Sequence, residues 1–416
     1  MLTKKKPRNG LIAALDVGST KIACFIAKQE AQGPRVIGIG HQVSRGVRNG
    51  SIVDLESAEA SILNAVSAAE QMAGESLETV IVNTSGGAPE SRTVKVEVAL
   101  AGHEIGDTDL RRVLTQGRAQ AQQSERHLLH AIPAGFTIDG SRGIKDPRGM
   151  FGDRLGVNMH LVTADTGAVR NLAAAIGRCR LDVEDVVVSA YAAGLGVLVE
   201  DELELGATLI DMGGGTTTVA VFLGGDCIHT DMIRLGGSHV TNDIVQGLNT
   251  PLVHAERMKT LYGSALASPA DEREIIDVPL IGEDEHAQAN HVPKSILTSI
   301  IQPRLEETFE LVRARLATAG VDRAVGRRVV LTGGASQLQG VRDLAGMVLD
   351  KQVRLGRPVR LPGLADQTAG PAFATCAGLV AFSLHQHSET LRPTSASDAS
   401  AGGWFARVGL WLRENL

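Results

Sequence analysis

The chain has 416 residues, a net charge of −6, 43% apolar residues and 3% aromatic ones. That length allows two or more domains with full apolar cores, while mild acidity and scarce aromatics give no footing for nucleic-acid binding. Four scattered cysteines, Cys24, Cys179, Cys227 and Cys376, show neither paired nor metal-type spacing and read as free thiols of a reducing compartment.

Lys4, Lys5 and Lys6 are not followed by an apolar stretch of export length. The first elements are a strand from Leu11 to Leu15, a tight turn and a second strand from Ile22 to Ala27. A strand over Arg35 to Gly40, a helix over Leu55 to Met72 and a strand over Thr79 to Asn83 follow, which is an α/β pattern. From Ser85 to about Leu161 the rhythm changes. Alternating Val94, Val96 and Val98 predicts a strand, Asp109 to His130 a long polar helix, and Gly140 to Gly156 a Gly- and Arg-rich loop. The stretch reads as an inserted unit. The α/β pattern resumes with Leu161-Val162-Thr163, a helix to Gly177, the Val186 to Val188 strand and a small-residue helix to Val199. The apolar run Val186 to Val199 is too short to cross a bilayer, so the expectation is a cytoplasmic protein.

A second strand–turn–strand unit, Ala207 to Leu223, opens a second α/β unit, followed by a charge-rich helical section from Thr241 to Gly320. Arg328 to Thr332 reads as a buried strand that ends in Gly333-Gly334-Ala335-Ser336 before a helix to Leu349. The last helix of this part runs from Pro371 to His385, and Ser388 to Gly403 has the Ser, Ala, Thr and Gly composition of a disordered linker.

The two turns share a design: Asp16, Gly18, Ser19, Thr20 and Lys21 in one, Asp211, Gly213, Gly214, Gly215, Thr216 and Thr217 in the other. Glycine lets the backbone approach a phosphate and aim N–H groups at it, the hydroxyls add donors, and each Asp suits a phosphate-bound Mg2+ held through water. Either hairpin alone commonly just closes two strands. Two copies in two α/β units point to a clamp on one polyphosphate. Neither is a P-loop or dinucleotide fingerprint, because a strand follows the glycines rather than a helix. Gly333, Gly334 and Ala335, with Ser336, form a strand-to-helix turn that could admit an adenosine, although taken alone a Gly pair there more often serves packing. Glu256 and Lys259 share a helix face where ribose and base would lie, although alone they read as a surface ion pair. His127 and His130, placed on the polar helix, and His385 and His387 read as solvated.

The terminal segment carries both tryptophans of the chain. On a helical wheel Trp404, Phe405, Val408, Trp411, Leu412 and Leu416 fall in a sector about 140° wide, with Arg407, Arg413 and Glu414 opposite and Leu410 the misfit. Beyond a linker, Trp with Arg suits the headgroup boundary of an anionic bilayer better than a partner's groove or a place in the core.

With these segments in order, the chain resembles the actin/Hsp70/sugar-kinase ATPase superfamily and, within it, the FtsA family of bacterial actin-like cell-division proteins. Ala14 to Lys21, Leu128 to Pro133, Gly143-Ile144-Lys145-Asp146-Pro147, Glu200-Asp201-Glu202 with Glu204-Leu205-Gly206, and Ile210 to Thr217 carry the likeness. Ala255-Glu256, Lys259 and Gly263, Val330 to Ala335, and Trp404 with Trp411-Leu412-Arg413 extend it to the C-terminus. The resemblance implies an actin-like, two-lobed α/β ATPase fold. The first lobe would take 1–84 and 162–199, with a family-specific α+β insertion at 85–161. The second would take 200–240 and 305–365 with a small helical subdomain at 241–304; a closing helix at 366–387, a linker at 388–403 and an amphipathic helix at 404–416 complete the chain.

It further implies ATP and Mg2+ in the cleft, with Asp16 and Asp211 near the metal, Gly18 to Lys21 and Gly213 to Thr217 at the phosphates, and Glu256, Lys259 and Gly333 to Ala335 around the adenosine. The expected role is a filament-forming, peripheral protein at the cytoplasmic face of the membrane at the division site. It would tether the FtsZ tail through the region from Thr241 to Arg304 and recruit later division proteins through the insertion, including its helix from Arg111 to Arg126. Ser189 to Gly194 offers no carboxylate as catalytic base, so ATP turnover is expected to be slow at most. A sugar kinase of the same fold would need that base, and a pilus-type actin-like adaptor would not need the Trp-rich tail.

Overall fold

The computed structural model describes residues 10–123, 126–282, 290–323, 325–359 and 361–389, so the linker and the amphipathic segment at 404–416 lie outside the described residues. The chain begins with β1 (Leu11–Val17), β2 (Lys21–Glu30), β3 (Gly33–Val43), the short pair β4 (Val47–Arg48) and β5 (Ser51–Ile52), α1 (Leu55–Ala73) and β6 (Thr79–Thr84). The inserted unit comprises β7 (Glu90–Ala99), α2 (Asp107–Ala119), β8 (Arg126–Ile138), β9 (Ser141–Ile144) and β10 (Arg154–Asp165). Next come α3 (Thr166–Arg178), β11 (Asp182–Val188), α4 (Ser189–Val197) and α5 (Glu200–Leu205). The second half holds β12 (Ala207–Met212), β13 (Thr217–Leu223), β14 (Asp226–Ile233), α6 (Gly237–Leu248) and α7 (Leu252–Tyr262). It continues with β15 (Ile275–Val278), β16 (Asn290–Pro293), α8 (Lys294–Thr318), β17 (Arg328–Thr332), α9 (Val341–Leu349), β18 (Gln352–Leu355) and α10 (Ala374–Glu389).

Two five-stranded sheets share one order, β3-β2-β1-β6-β11 and β14-β13-β12-β17-β18. In each, three antiparallel strands are followed by two parallel ones. The chain therefore folds the same lobe twice. The strand period of two decides what each face carries. Ala13, Leu15 and Val17 pack in the core of α1 and α3, whereas Ala14 joins the core that contains α4 and α10. Asp16 shares the face of Ala14. In β12, Ile210 and Met212 pack on the core of α6, α8 and α9, while Ala207 and Leu209 face α4, which puts Asp211 on the inner side as well. Both aspartates thus emerge between the lobes.

The lobes exchange helices. α4 follows the first lobe's β11 yet packs on β12 and β13, while α10 follows β18 yet packs on β1, β2 and β6. Small residues let the two helices cross closely: a Cβ at Gly378 would stand 1.7 Å from the Ala192 carbonyl oxygen.

The insertion is a four-stranded sheet, β7-β10-β8-β9, with α2 against β7 and β10. β7 and β14, each at the edge of its sheet, cover one another, and Ser91 Oγ donates to the Thr230 carbonyl at 2.8 Å. The insertion's Lys145 also meets Glu204 of α5 at 2.9 Å, so two family-like segments of the sequence touch in space.

Four local expectations are corrected. The polar helix expected over Asp109 to His130 ends at Ala119, passes through a 3-10 turn at Gln120–Gln123, and gives way to β8. His130, expected to be solvated on that helix, is a strand residue only 2% exposed: its Nε2 accepts from the Val188 N–H at 3.0 Å, and its ring packs edge-on against Tyr191 and Phe382. The loop expected over Gly140 to Gly156 holds β9 and the start of β10, with left-handed Gly140 and Gly149 in the turns and left-handed Gly143 within β9. Leu161-Val162-Thr163, read as the return to the first lobe, is the end of β10, still paired with β7 and β8.

Candidate functional site

The two glycine turns face each other across the lobe boundary. Each closes the same way: the Gly18 N–H donates to the Lys21 carbonyl at 3.0 Å, and the Gly213 N–H to the Thr216 carbonyl at 2.9 Å. They also touch. A Cβ on Gly214 would stand 2.3 Å from Thr20 Cγ2, and one on Gly215 would stand 2.5 Å from Ser19 Oγ. Glycine is required there because the opposite turn occupies the space. The β4–β5 turn supports this contact, with the Gly50 N–H donating to Ser19 Oγ at 3.0 Å. On the other side, the Gly237 and Ser238 N–H groups donate to the Gly213 and Gly214 carbonyls at 3.0 and 2.8 Å, tying the start of α6 to the second turn.

Asp16 and Asp211 line a cavity of about 120 Å³ with Lys21, Asn83, Ser189 and Thr375. Burial raises the pKa of Asp16, against the opposing pull of Lys21 and the Asn83 hydrogen bond. Burial, and then the neighbouring Asp16 charge, push Asp211 up to about 7. Burial lowers the pKa of Lys21 in turn, with Asp16 opposing. Lys21 Nζ donates to the Ala372 carbonyl and lies 3.6 Å from the Phe373 ring centroid. Two carboxylates and one amine are thus confined in a small polar space.

A second cavity, about 430 Å³, adjoins the first and shares Thr20, Gly214 and Gly334 with it. Glu256, Lys259 and Ala335 line it. Lys259 Nζ donates to Glu256 Oε2 at 2.7 Å, to Thr241 Oγ1 at 2.8 Å and to the Gly237 carbonyl at 3.1 Å. The pair is therefore more than a surface ion pair, because it pins α7 to the start of α6.

Of the residues the sequence singled out, Asp16, Gly18 to Lys21, Asp211, Gly213 to Thr216, Gly333 and Gly334 meet in the inner cavity, and Glu256, Lys259 and Ala335 in the outer one. Thr217 does not join them. By strand alternation it points to the opposite face, where its Oγ1 donates to the Leu235 carbonyl at 2.9 Å, and Thr218 lines the cleft instead. Asn83, Ser189 and Thr375 were missed. The first two were detectable: each is a polar residue at the carboxyl end of an apolar parallel strand, where open α/β sheets place ligands. Nothing around Thr375 in the sequence marked it.

The cleft suits a polyphosphate with a divalent cation. Thr218 Oγ1 is buried there without a partner, the glycines leave backbone within reach, and paired aspartates supply hard oxygens. Among the described residues, no His/Cys/Asp/Glu group forms a metal cage of its own.

A family model described as "Cell division protein FtsA" matches residues 208–378, and one described as "SHS2 domain inserted in FTSA" matches residues 86–163. "Cell division protein FtsA" of Rhizobium meliloti is 45% identical over 98% of this chain and 95% of its own. That of Escherichia coli K12 is 32% identical over 97% of this chain and 98% of its own. The chain belongs to the FtsA family of cell division proteins. Solved structures show the same actin-like fold. The PilM-PilN type IV pilus biogenesis complex matches with TM-score 0.63, at 16% identity over 90% of this chain and 98% of that one. MreB 5 of Spiroplasma citri bound to AMPPNP matches with TM-score 0.53, at 15% identity over 93% and 100%. The insertion between β6 and α3 is the FtsA family's SHS2 domain.

Proposed function

We propose that this FtsA-family chain binds ATP with Mg2+ between its lobes, polymerises at the cytoplasmic face of the membrane, tethers FtsZ there and recruits later division proteins. The observation that carries the nucleotide reading is the contact of two glycine turns closed by the same hydrogen bond, each followed by a paired strand and preceded by an inward aspartate. Between them Gly18 to Lys21 and Gly213 to Thr216 would hold the phosphates, and Asp16 and Asp211 would bind the cation through water. The outer cavity would take the adenosine. The relative MreB 5 was solved with AMPPNP, which supports a nucleotide in this fold. The reading of slow turnover at most is supported by Ser189, which lines the cavity at the start of a stretch, Ser189 to Gly194, with no carboxylate to serve as base.

The membrane and partner roles rest on the family and on the terminal segment. No described helix is long and apolar enough to cross a membrane, so attachment falls to Trp404, Phe405, Val408, Trp411, Leu412 and Leu416. Many such tails on one filament would add avidity to a modest individual anchor. The FtsZ tail would dock on the small subdomain from Thr241 to Arg304, and the insertion would take the later partners. Lipid monolayers viewed by electron microscopy, with and without ATP and an FtsZ tail peptide, test the whole reading. Lattices that need ATP and the tail support it; sedimentation with anionic vesicles unchanged by deleting residues 403–416 would remove the anchor.

A further inference from the structure

Each cleft aspartate has one carboxylate oxygen tied by a residue outside its own turn. Asn83 Nδ2 donates to Asp16 Oδ1 at 2.7 Å and to Ser189 Oγ at 3.1 Å, while Asn83 Oδ1 accepts from the Val17 N–H at 2.7 Å. Thr375 Oγ1 donates to Asp211 Oδ2 at 3.0 Å. All four groups are buried: Asn83 is 3% exposed, Thr375 6%, and the two aspartates 8% each. Each carboxylate keeps a second oxygen that takes no hydrogen bond from a described residue. Gly333, at φ +87, leaves room for the one on Asp211: a Cβ there would lie 2.3 Å from Oδ1.

The two ties differ in kind. Asp16, Val17, Asn83 and Ser189 all belong to the first lobe or to the start of α4, so Asp16 is held locally. Thr375 sits on α10, which packs on the first lobe's β1, β2 and β6, yet it bonds the second lobe's aspartate. That bond crosses the cleft. Asp211 is oriented only when the second lobe is seated against α10.

We infer that Asn83 and Thr375 are positioning residues that fix the two cleft carboxylates for a hydrated divalent cation, Asn83 within its lobe and Thr375 across the cleft. The inference rests on the nucleotide reading above. Outer-shell partners of this kind typically matter by about 10–100-fold in metal affinity. The binding of ATP is therefore titrated at equilibrium with Mg2+ and again in EDTA, for the wild type, Asn83→Ala, Thr375→Val and Thr375→Ser. Thr375→Val keeps shape and removes only the donor, so it serves where Asn83→Ala disturbs the Val17 backbone. The expected result is a loss of about tenfold with Mg2+ in the first two variants. Affinity in EDTA should stay within about twofold, and Thr375→Ser should behave as wild type, by the same outer-shell reasoning. Equal losses in both buffers would reassign the two residues to packing, and no loss would overturn the inference. A wild type that binds ATP equally well with and without Mg2+ defeats this inference alone. One that binds no ATP in either buffer defeats the nucleotide reading itself.

Discussion

Replacing Asp211 by Asn should make the ligand-free protein more stable and its nucleotide site worse. Asp211 is 8% exposed and faces the Asp16 carboxylate, and its pKa is pushed from 3.8 up to about 7 by burial first and by Asp16 second. The folded state therefore holds the proton longer than the unfolded chain does. Stability from this group is greatest below pH 3.8 and falls as pH rises toward about 7. Above that range, the gap between 3.8 and about 7 at about 1.36 kcal/mol per pH unit sets a ceiling of about 4 kcal/mol. At pH 5 only the step from 3.8 to 5 counts, well under half of that ceiling. Asparagine is neutral throughout and can still accept from Thr375, so the variant escapes the penalty. Apparent thermal midpoints followed by circular dichroism in EDTA should place Asp211→Asn above the wild type, with a wider gap at pH 8 than at pH 5. With ATP and Mg2+ present the order should reverse, since ligand stabilises only the form that binds it. A variant less stable than the wild type at pH 8, or a gap that ignores pH, would refute the reasoning.

Gly214→Ala should weaken ATP at least about tenfold in an equilibrium titration, because its methyl would stand 2.3 Å from Thr20 Cγ2 and wedge the two turns apart. Unchanged affinity would show that the turns separate freely. Lys259→Ala removes the donor that joins Glu256, Thr241 and Gly237, and should weaken ATP about three- to tenfold, the range expected for the net worth of one ordinary hydrogen bond. Gly378→Ala puts a methyl 1.7 Å from the Ala192 carbonyl at the helix crossing, and should lower stability by about 3 kcal/mol, read as an earlier urea transition.

The glycine turns were legible because each breaks an apolar run with residues that serve no strand, and β-alternation then fixed the side on which each aspartate lies. The same alternation was not applied to Thr217, where three consecutive threonines left the inward residue ambiguous; pairing with β12 and β14 resolves it in favour of Thr218. The helix expected to reach His130 failed for another reason. The polar run Gln122 to His127 leads straight into Leu128 to Ile132, but in space that segment pairs with β10 and meets the side of α10, so a histidine close to polar residues is buried by neighbours distant in sequence. The exchange of α4 and α10 between lobes was out of reach too. Both helices are made of small and apolar residues on nearly every side, which marks them as buried without saying against what.

That exchange bears on how the cleft is held together. Little in the inner cavity besides the Thr375 bond to Asp211 and the charge of Lys21 favours closing it without a ligand: two buried carboxylates repel, the Lys21 amine is engaged by a carbonyl and a ring, and Thr218 Oγ1 has no partner among the described residues. The closed arrangement rests instead on the apolar layer formed by α4 and α10 with Ala14, Phe25, Leu209 and Phe222 from the two sheets. Binding and cohesion are thus assigned to different residues. A cation between Asp16 and Asp211 would turn the repulsion into a shared attraction without altering the layer beneath. On this account a bound ligand would draw together lobes that are already joined, and the Thr375 bond to Asp211 is where the lobe boundary and the proposed cation site meet.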